Sequence, residues 1–380
     1  NSYQGSIIMS HYDYYIGLDV SQKSTAICVI DSVGKQVCEG GSLSRPCDIY
    51  GWLKNRIDIS KPLRVGLEAG TLSSFLVGGI QKYGLDVVCM ETFQAHRFLS
   101  TYRNKTDKND ARGLAQLLRM GGEDFLKFVT IRSQYAQETR ALLFMRDHLV
   151  QNKVSLENHI CGILKPFGLI VARGNVSANT LYERVIDALA LGEDRGICIR
   201  DTIMPSLKLY MSACQQIEPL TKQVEEAAQT IDIVKRFMEI PGIGPVTALS
   251  FYTAVDYPER FAKSSDVAAY FGLTPRQHQS GESNFTGRIS KRGDASTRRA
   301  LVNAATVLLA NSNDWNSIKA WGVRLAKRIG FSKARVAVAR KLAVIMHRIW
   351  INNDRFRPKK LKATELAALK KENSTALVTV

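Results

Sequence analysis

Acidic residues are scarce in the stretch 261–360, where 5 Asp and Glu face 20 Lys and Arg. That segment alone carries +15 of a net +17, so the rest of the 380-residue chain is close to neutral. A deficit of acid confined to one module predicts a polyanionic partner, above all nucleic acid. No Cys-x-x-Cys pair occurs among the seven cysteines (Cys28, Cys38, Cys47, Cys89, Cys161, Cys198, Cys214), which are scattered and odd in number. This argues against a zinc site and implies the reduced thiols of a cytoplasmic protein. No apolar run approaches the roughly 20 residues that a membrane span needs, so no membrane partner is expected, and no signal peptide is read. Residues before Met9 are left out of the fold argument. What is present is a 45% hydrophobic chain long enough for two or three domains.

Short apolar runs separated by hairpin-sized turns come first. Tyr14–Asp19, Thr25–Ile30 and Gln36–Leu43 read as antiparallel strands. A helix over Cys47–Arg56, a strand over Leu63–Leu67, a helix over Leu72–Tyr83 and a strand over Asp86–Met90 follow. Three antiparallel strands and then alternating helix and strand predict an α/β layer fold with a mixed sheet.

Acids fall at informative places in that pattern. Asp19 ends the first strand, Glu68 ends a later one, and Asp107 and Asp110 open a helix over 105–120. The last two share a helix face with Ala111, Leu114, Leu117 and Leu118. Two carboxylates about 4 Å apart repel by roughly 4 kcal/mol at an effective dielectric of about 20, which calls for a positive neighbour. The alternative makes Asp107 the helix N-cap, with Asp110 completing a capping-box-like start. Functional residues of open α/β sheets gather at strand carboxyl ends, and four converging carboxylates suit Mg²⁺.

Beyond this domain Leu142, Leu149, Leu156 and Ile163 recur every seven residues, with Met145, Asn152 and His159 between them. A second seam runs through Tyr210, Ile217, Val224 and Ile231, where Pro219 should kink the helix. The seams predict either a dimerising or spacing arm, or two helices packed on each other within one chain. Gly168–Gly196 reads as a connecting segment with a short helix. Pro241-Gly242-Ile243-Gly244 lies between helical segments like the turn of a helix-hairpin-helix module, in which backbone N–H groups approach phosphate. A basic, glycine-punctuated stretch follows with Arg276, Arg288, Lys291 and Arg292, and Ser280 precedes Gly281 at a loop tip. Two helices, Ser296–Asn311 and Lys333–Trp350, carry Arg298, Arg299, Arg335 and Arg340 as phosphate-tracking candidates.

Ile16-Gly17-Leu18-Asp19-Val20-Ser21, Glu68 with Gly70, Lys105-Thr106-Asp107-Lys108-Asn109-Asp110, Ile240-Pro241-Gly242-Ile243-Gly244, and Ser280-Gly281 with Gly287-Arg288-Ile289-Ser290-Lys291-Arg292-Gly293 stand in one order along the chain. Together they resemble the DEDD transposases of the one-ten family of bacterial insertion sequences, including its eleven-eleven branch. The resemblance implies a RuvC-like, RNase H-type domain over 13–130 whose tetrad is Asp19, Glu68, Asp107 and Asp110, the Mg²⁺ ligands. It further implies a helical coiled-coil arm with its connecting segment over 131–235. A mainly helical transposase domain with a serine nucleophile and basic surface would span 236–355, and a basic disordered tail 356–380.

By the same resemblance Ser280 is the nucleophile, with Ser283, Thr286 and Ser290 close by in sequence. Lys105, Arg276, Arg288, Lys291, Arg292, Arg298, Arg299, Arg335 and Arg340 would bind nucleic acid. The family's members are guided by a non-coding bridge (seeker) RNA that pairs with donor and target double-stranded DNA. They act through a covalent phosphoserine and a Holliday junction, in composite sites across subunits. A homodimer assembling to a tetramer in the bacterial cytoplasm, at the nucleoid when acting, is the expectation that follows.

Three other readings are weighed. A metal-dependent RuvC-like junction resolvase would use water as nucleophile and form no adduct. Gly17-Leu18-Asp19-Val20-Ser21-Gln22-Lys23-Ser24 also resembles the first phosphate loop of actin-like sugar kinases, but the second phosphate loop such enzymes need is missing. An inert RNA-binding scaffold would leave the acid tetrad without a purpose.

Overall fold

The computed structural model describes residues 12–102, 104–121, 126–172, 174, 176–280, 283–312 and 315–357. The side chains of 278–280, 283, 284 and 286 fall outside that set, as does the expected tail beyond residue 357. The chain divides into two compact units, residues 1–132 and 133–380.

The first unit is built on β1 (Tyr14–Val20), β2 (Ser24–Asp31), β3 (Gln36–Leu43), α1 (Pro46–Lys54), β4 (Leu63–Glu68), α2 (Ser73–Gln81), β5 (Asp86–Met90), α3 (Thr92–Leu99) and α4 (Asp107–Met120). Its five-stranded mixed sheet has the order β3-β2-β1-β4-β5. β1, β2 and β3 pair antiparallel, whereas β4 and β5 run parallel to β1. Local chemistry sets the hairpins. The Asp31 carboxylate accepts the N–H groups of Val33 and Lys35 at 3.1 and 2.8 Å, and Gly34 takes φ +90° in the same turn.

Strand alternation assigns the two faces of this sheet. Ile16, Leu18, Val65 and Leu67 are fully buried in the layer that holds Ile49 and Leu53 of α1 and Leu76 and Ile80 of α2. Burial of each such side chain contributes about 1.5–3 kcal/mol. On the other face Ala111 and Ala115 of α4 pack with Cys28 and Ile30 of β2. The outcome is a helix–sheet–helix sandwich, as the strand and helix pattern predicts.

The second unit begins with α5 (Gln134–Leu164), α6 (Ala178–Glu193) and α7 (Arg200–Thr230). Ile160 and Leu164 near the end of α5 meet Ile203 and Leu207 near the start of α7, while Arg146 Nε donates to Thr221 Oγ1 at 2.8 Å. The two long helices are therefore antiparallel partners within one chain, which is the second of the two options the seams left open. The buried residues of α5 are offset from the heptads. Leu143, Ile160, Cys161 and Leu164 are buried, Met145 is exposed, and the seam leucines are only half-buried. α7 runs unbroken through Pro205 and Pro219.

After α8 (Asp232–Met238), α9 (Pro245–Val255) and α10 (Ser264–Tyr270), the chain forms a two-stranded ribbon, β6 (Pro275–Ser280) and β7 (Ser283–Ile289). It then continues through α11 (Ala295–Thr306), a π-helical turn at Val307–Asn311, α12 (Ser317–Ile329) and α13 (Phe331–Ile351). The core of this half holds Phe237, Phe251 and Phe271, with Tyr252 and Trp350 stacked at 4.8 Å beside it. No helix among the described residues is long and apolar enough to cross a membrane.

Candidate active site and nucleic-acid interface

Parallel pairing of β1 with β4 sets Leu18 opposite Leu67, so Asp19 and Glu68 end neighbouring strands on the same edge. α4 reaches that edge because Gly17 lets it. A Cβ on Gly17 would stand 2.1 Å from the Ala111 carbonyl oxygen and 2.4 Å from the Ala115 nitrogen. The helix backbone thus lies directly on β1, two residues before Asp19 and one residue after Asp110. The sequence displays this glycine but not its purpose, since close backbone approach leaves no periodic signal.

Thr106, not Asp107, caps α4: its hydroxyl accepts the Asn109 N–H at 3.2 Å. That removes the capping explanation for the aspartates. Asp110 lies on the buried face with 8% exposure, whereas Asp107, one turn earlier, is exposed. None of the four carboxylates is hydrogen-bonded or ion-paired to a described residue.

Their charges are nonetheless coupled. Burial pushes the Asp19 carboxyl up to about 6, reinforced by the negative charges of Asp110, Asp107 and Glu68 and opposed by Lys105. Burial also raises Glu68; His96 and Lys105 oppose that rise, and Asp110 and Glu91 add to it. Among the described residues, no three His, Cys, Asp or Glu side chains stand close enough to hold a metal ion. The acids therefore share an electrostatic neighbourhood without being drawn into ligating distance. Asp19 and Glu68 line an open cleft of about 610 Å³ together with Ser21, Gly70 and Ser73. Ser73 holds the loop after β4, accepting the Gly70 N–H at 2.8 Å and donating to the Glu68 carbonyl at 3.3 Å. His96 and Glu91 are the titratable neighbours that the sequence reading missed. Both belong to the α3 region, a helix too short to show a clear period.

Of the basic candidates Lys105 is exposed in the first unit, just before the Thr106 cap of α4, and the others lie in the second. Arg276, Arg288 and Lys291 line a cleft of about 360 Å³ at the base of the ribbon, and Arg276 Nη2 donates to the Ser290 carbonyl at 3.2 Å. Arg298 spends Nη1 on the carbonyls of Phe271 and Arg292, each at 3.0 Å, which fixes the chain leaving the ribbon. Arg299 pairs with Asp147 at 3.2 Å. Arg335 is half-buried with an Nε that has no hydrogen-bond partner, and Arg340 is exposed. Ser280 ends β6 opposite Ser283. The glycine turn between α8 and α9 has a packing duty as well: Gly242 has φ +90°, and a Cβ there would meet the Ala304 carbonyl at 2.6 Å.

Comparison with known proteins bears on both units. A family model for DEDD transposases of the IS110 type, described as transposase, matches residues 16–168. A second, described as the transposase IS116/IS110/IS902 family, matches residues 234–320. The chain is 34% identical over 260 residues to the transposase for insertion sequence element IS1111A of Coxiella burnetii, covering 67% of this chain and 69% of that protein. It is 28% identical over 251 residues to the transposase for insertion sequence element IS1328 of Yersinia enterocolitica, covering 65% of this chain and 71% of that protein.

Proposed function

The chain belongs to the IS116/IS110/IS902 family of insertion-sequence transposases, and from that premise we propose an RNA-guided recombinase that cuts and rejoins DNA through a phosphoserine. As a transposase it is an enzyme of DNA strand cleavage and transfer. Our reading takes residues 13–130 as a RuvC-like, RNase H-type domain, 131–235 as a coiled-coil arm, and 236–355 as the transposase domain with a helix-hairpin-helix-like turn. Support for the first assignment comes from the strand order and from acids at the ends of β1 and β4 and at the start of α4.

The observation that carries the reading is the uncompensated acid group. A DEDD-type domain points to divalent-metal use, and Asp19, Glu68, Asp107 and Asp110 would be the ligands of Mg²⁺. The donor set fits: carboxylate oxygens are the ligands that hard cations take, and burial with like charge drives the Asp19 carboxyl to about 6 despite the opposing charge of Lys105. When bound, the cation would supply charge neutralisation at the reacting phosphoryl oxygens.

The remaining chemistry falls to the chain's own residues. Ser280 Oγ attacks the scissile phosphorus and loses its proton. The Oγ–P bond forms as the bond from phosphorus to the 3′ oxygen breaks, and that oxygen leaves as a 3′-OH. A later attack by another 3′-OH reverses the step and restores the serine. A free serine is a weak nucleophile, so this step needs both activation and neutralisation of phosphoryl charge, the second supplied by Arg276 and Arg288. Lys105, Lys291, Arg292, Arg298, Arg299, Arg335 and Arg340 would track phosphates. A bridge RNA would select donor and target DNA, with dimers assembling to a tetramer in the bacterial cytoplasm.

Two substitutions test this mechanism. Ser280→Ala should retain RNA binding and abolish both strand cleavage and any covalent protein–DNA adduct. Asp107→Ala should abolish cleavage as well. Adduct in the serine variant sinks the nucleophile, and metal-independent cleavage by the aspartate variant sinks the ligand set. Sequencing RNA that copurifies with the protein tests the guide: a defined species with loops matching element ends is the expected result.

A further inference from the structure

Phe285 is 67% exposed on β7, whereas Phe237, Phe251 and Phe271 of the same unit are fully buried. The ribbon around it is otherwise polar, reading Pro-Arg-Gln-His-Gln-Ser and Ser-Asn-Phe-Thr-Gly-Arg-Ile. A two-stranded ribbon with no apolar face is not a folding element that needs a phenylalanine. The ring instead helps to line the cleft of about 360 Å³ whose other walls include Arg276, Arg288 and Lys291.

Lys291 reaches that cleft in a left-handed conformation, φ +55°, which is costly for a residue with a β-carbon. Two backbone hydrogen bonds hold the turn: Lys291 N–H to the Gly272 carbonyl at 3.1 Å and Ser290 N–H to the Thr274 carbonyl at 2.9 Å. Three cations and one exposed aromatic ring are thus fixed around one hollow. Cationic walls disfavour an apolar protein partner and suit phosphate, while the ring offers a face to a planar base.

We propose that Phe285 and these cations form a stacking site for an unpaired DNA base. A base inside an intact duplex already stacks on its neighbours, so the ring gains a partner only where strands are separated or a nucleotide is turned out. The site rests on DNA as the substrate, which family membership supplies, and not on the identity of the nucleophile. Strand pairing sets Phe285 opposite His278 and Ser283 opposite Ser280, two residues further along each strand. A base held on Phe285 would accordingly neighbour any phosphate handled at Ser280, an extension that rests on the serine reading above.

The test uses the full chain and an oligonucleotide carrying one 2-aminopurine, as a single strand and as a fully paired duplex. Wild-type protein should quench 2-aminopurine fluorescence in the single strand. Phe285→Ala should weaken single-strand binding by about tenfold and lose the quench, with duplex affinity changed less than twofold. Phe285→Trp should restore both, which guards against a folding defect. Neither readout requires strand cleavage, so failure of the nucleophile assignment leaves this result intact. Unchanged single-strand affinity in the alanine variant, or an equal loss on duplex, overturns the site. A loss seen only with RNA of the same sequence overturns its assignment to DNA.

Discussion

The acid site and the basic ribbon solve opposite electrostatic problems on opposite kinds of scaffold. Asp19, Glu68 and Asp110 are set on a five-stranded sheet and a helix that share a buried core, with no hydrogen bond or ion pair to their carboxylates among the described residues. Like charges at close quarters move apart unless the frame is stiff, and the frame here is backbone lying on backbone at Gly17. Arg276, Arg288 and Lys291 stand on a two-stranded ribbon with little apolar content of its own. Cations awaiting a polyanion need less support, because the ligand brings the counter-charge with it. Chemistry that must be held against repulsion is placed in a core, and recognition that attraction will complete can sit on a thin projection.

Glycine-to-alanine changes break this comparison most forcefully, because the same substitution should act with opposite sign in the two units. Gly17→Ala drives a methyl group to 2.1 Å from the Ala111 carbonyl oxygen, so α4 must lift from β1. Overpacking of this kind costs about 1–3 kcal/mol, and contact with helix backbone puts the expected loss at about 3. Cleavage should fall with it, since Asp107 and Asp110 travel with the helix. Gly162→Ala, on the exposed side of α5 with nothing within 4 Å, should instead stabilise by about 0.5–1 kcal/mol through helix propensity. Urea unfolding of both variants reads the difference; an unshifted midpoint for Gly17→Ala would show that α4 does not depend on that contact.

Residues whose position follows from strand and helix ends are legible in the sequence alone. Asp19 and Glu68 were readable because the apolar runs before them stop where the acids stand, and Asp110 because its helix has a strong period. The cap is ambiguous in the sequence: Thr106 and Asp107 are both good caps, and only backbone geometry chooses between them. The seams were visible as a seven-residue repeat, but that repeat does not say whether the partner is another subunit or the helix returning in the same chain. The ribbon is hidden in the sequence because its polar strands show no apolar alternation, the usual strand signal. α12 went unread in the same way: its run is broken by Lys319, which is nevertheless buried, its ammonium bonded to the Ser312 carbonyl and lying over Trp315 at 4.8 Å.

A smaller and more discriminating effect comes from Asp19→Asn. The folded protein holds the Asp19 carboxyl near 6, above its ordinary value of 3.8. The folded state therefore binds this proton more tightly than the unfolded chain does, and the resulting stabilisation is complete below about pH 4 and lost as pH rises through about 6. At pH 7.5 the ionised group is a net cost, which asparagine relieves at similar size. For a fully buried carboxyl a rise from 3.8 to about 6 would correspond to about 3 kcal/mol. Asp19 is partly exposed, and solvent screening brings the expected gain to about 1 kcal/mol. Thermal melts in EDTA should show Asp19→Asn more stable than wild type at pH 7.5 and indistinguishable from it near pH 4. With Mg²⁺ present the order should reverse, because only the complete acid set gains from the cation. A variant that is less stable than wild type in EDTA at pH 7.5 would mean that Asp19 is held by favourable contacts and not by a frame that forces like charges together.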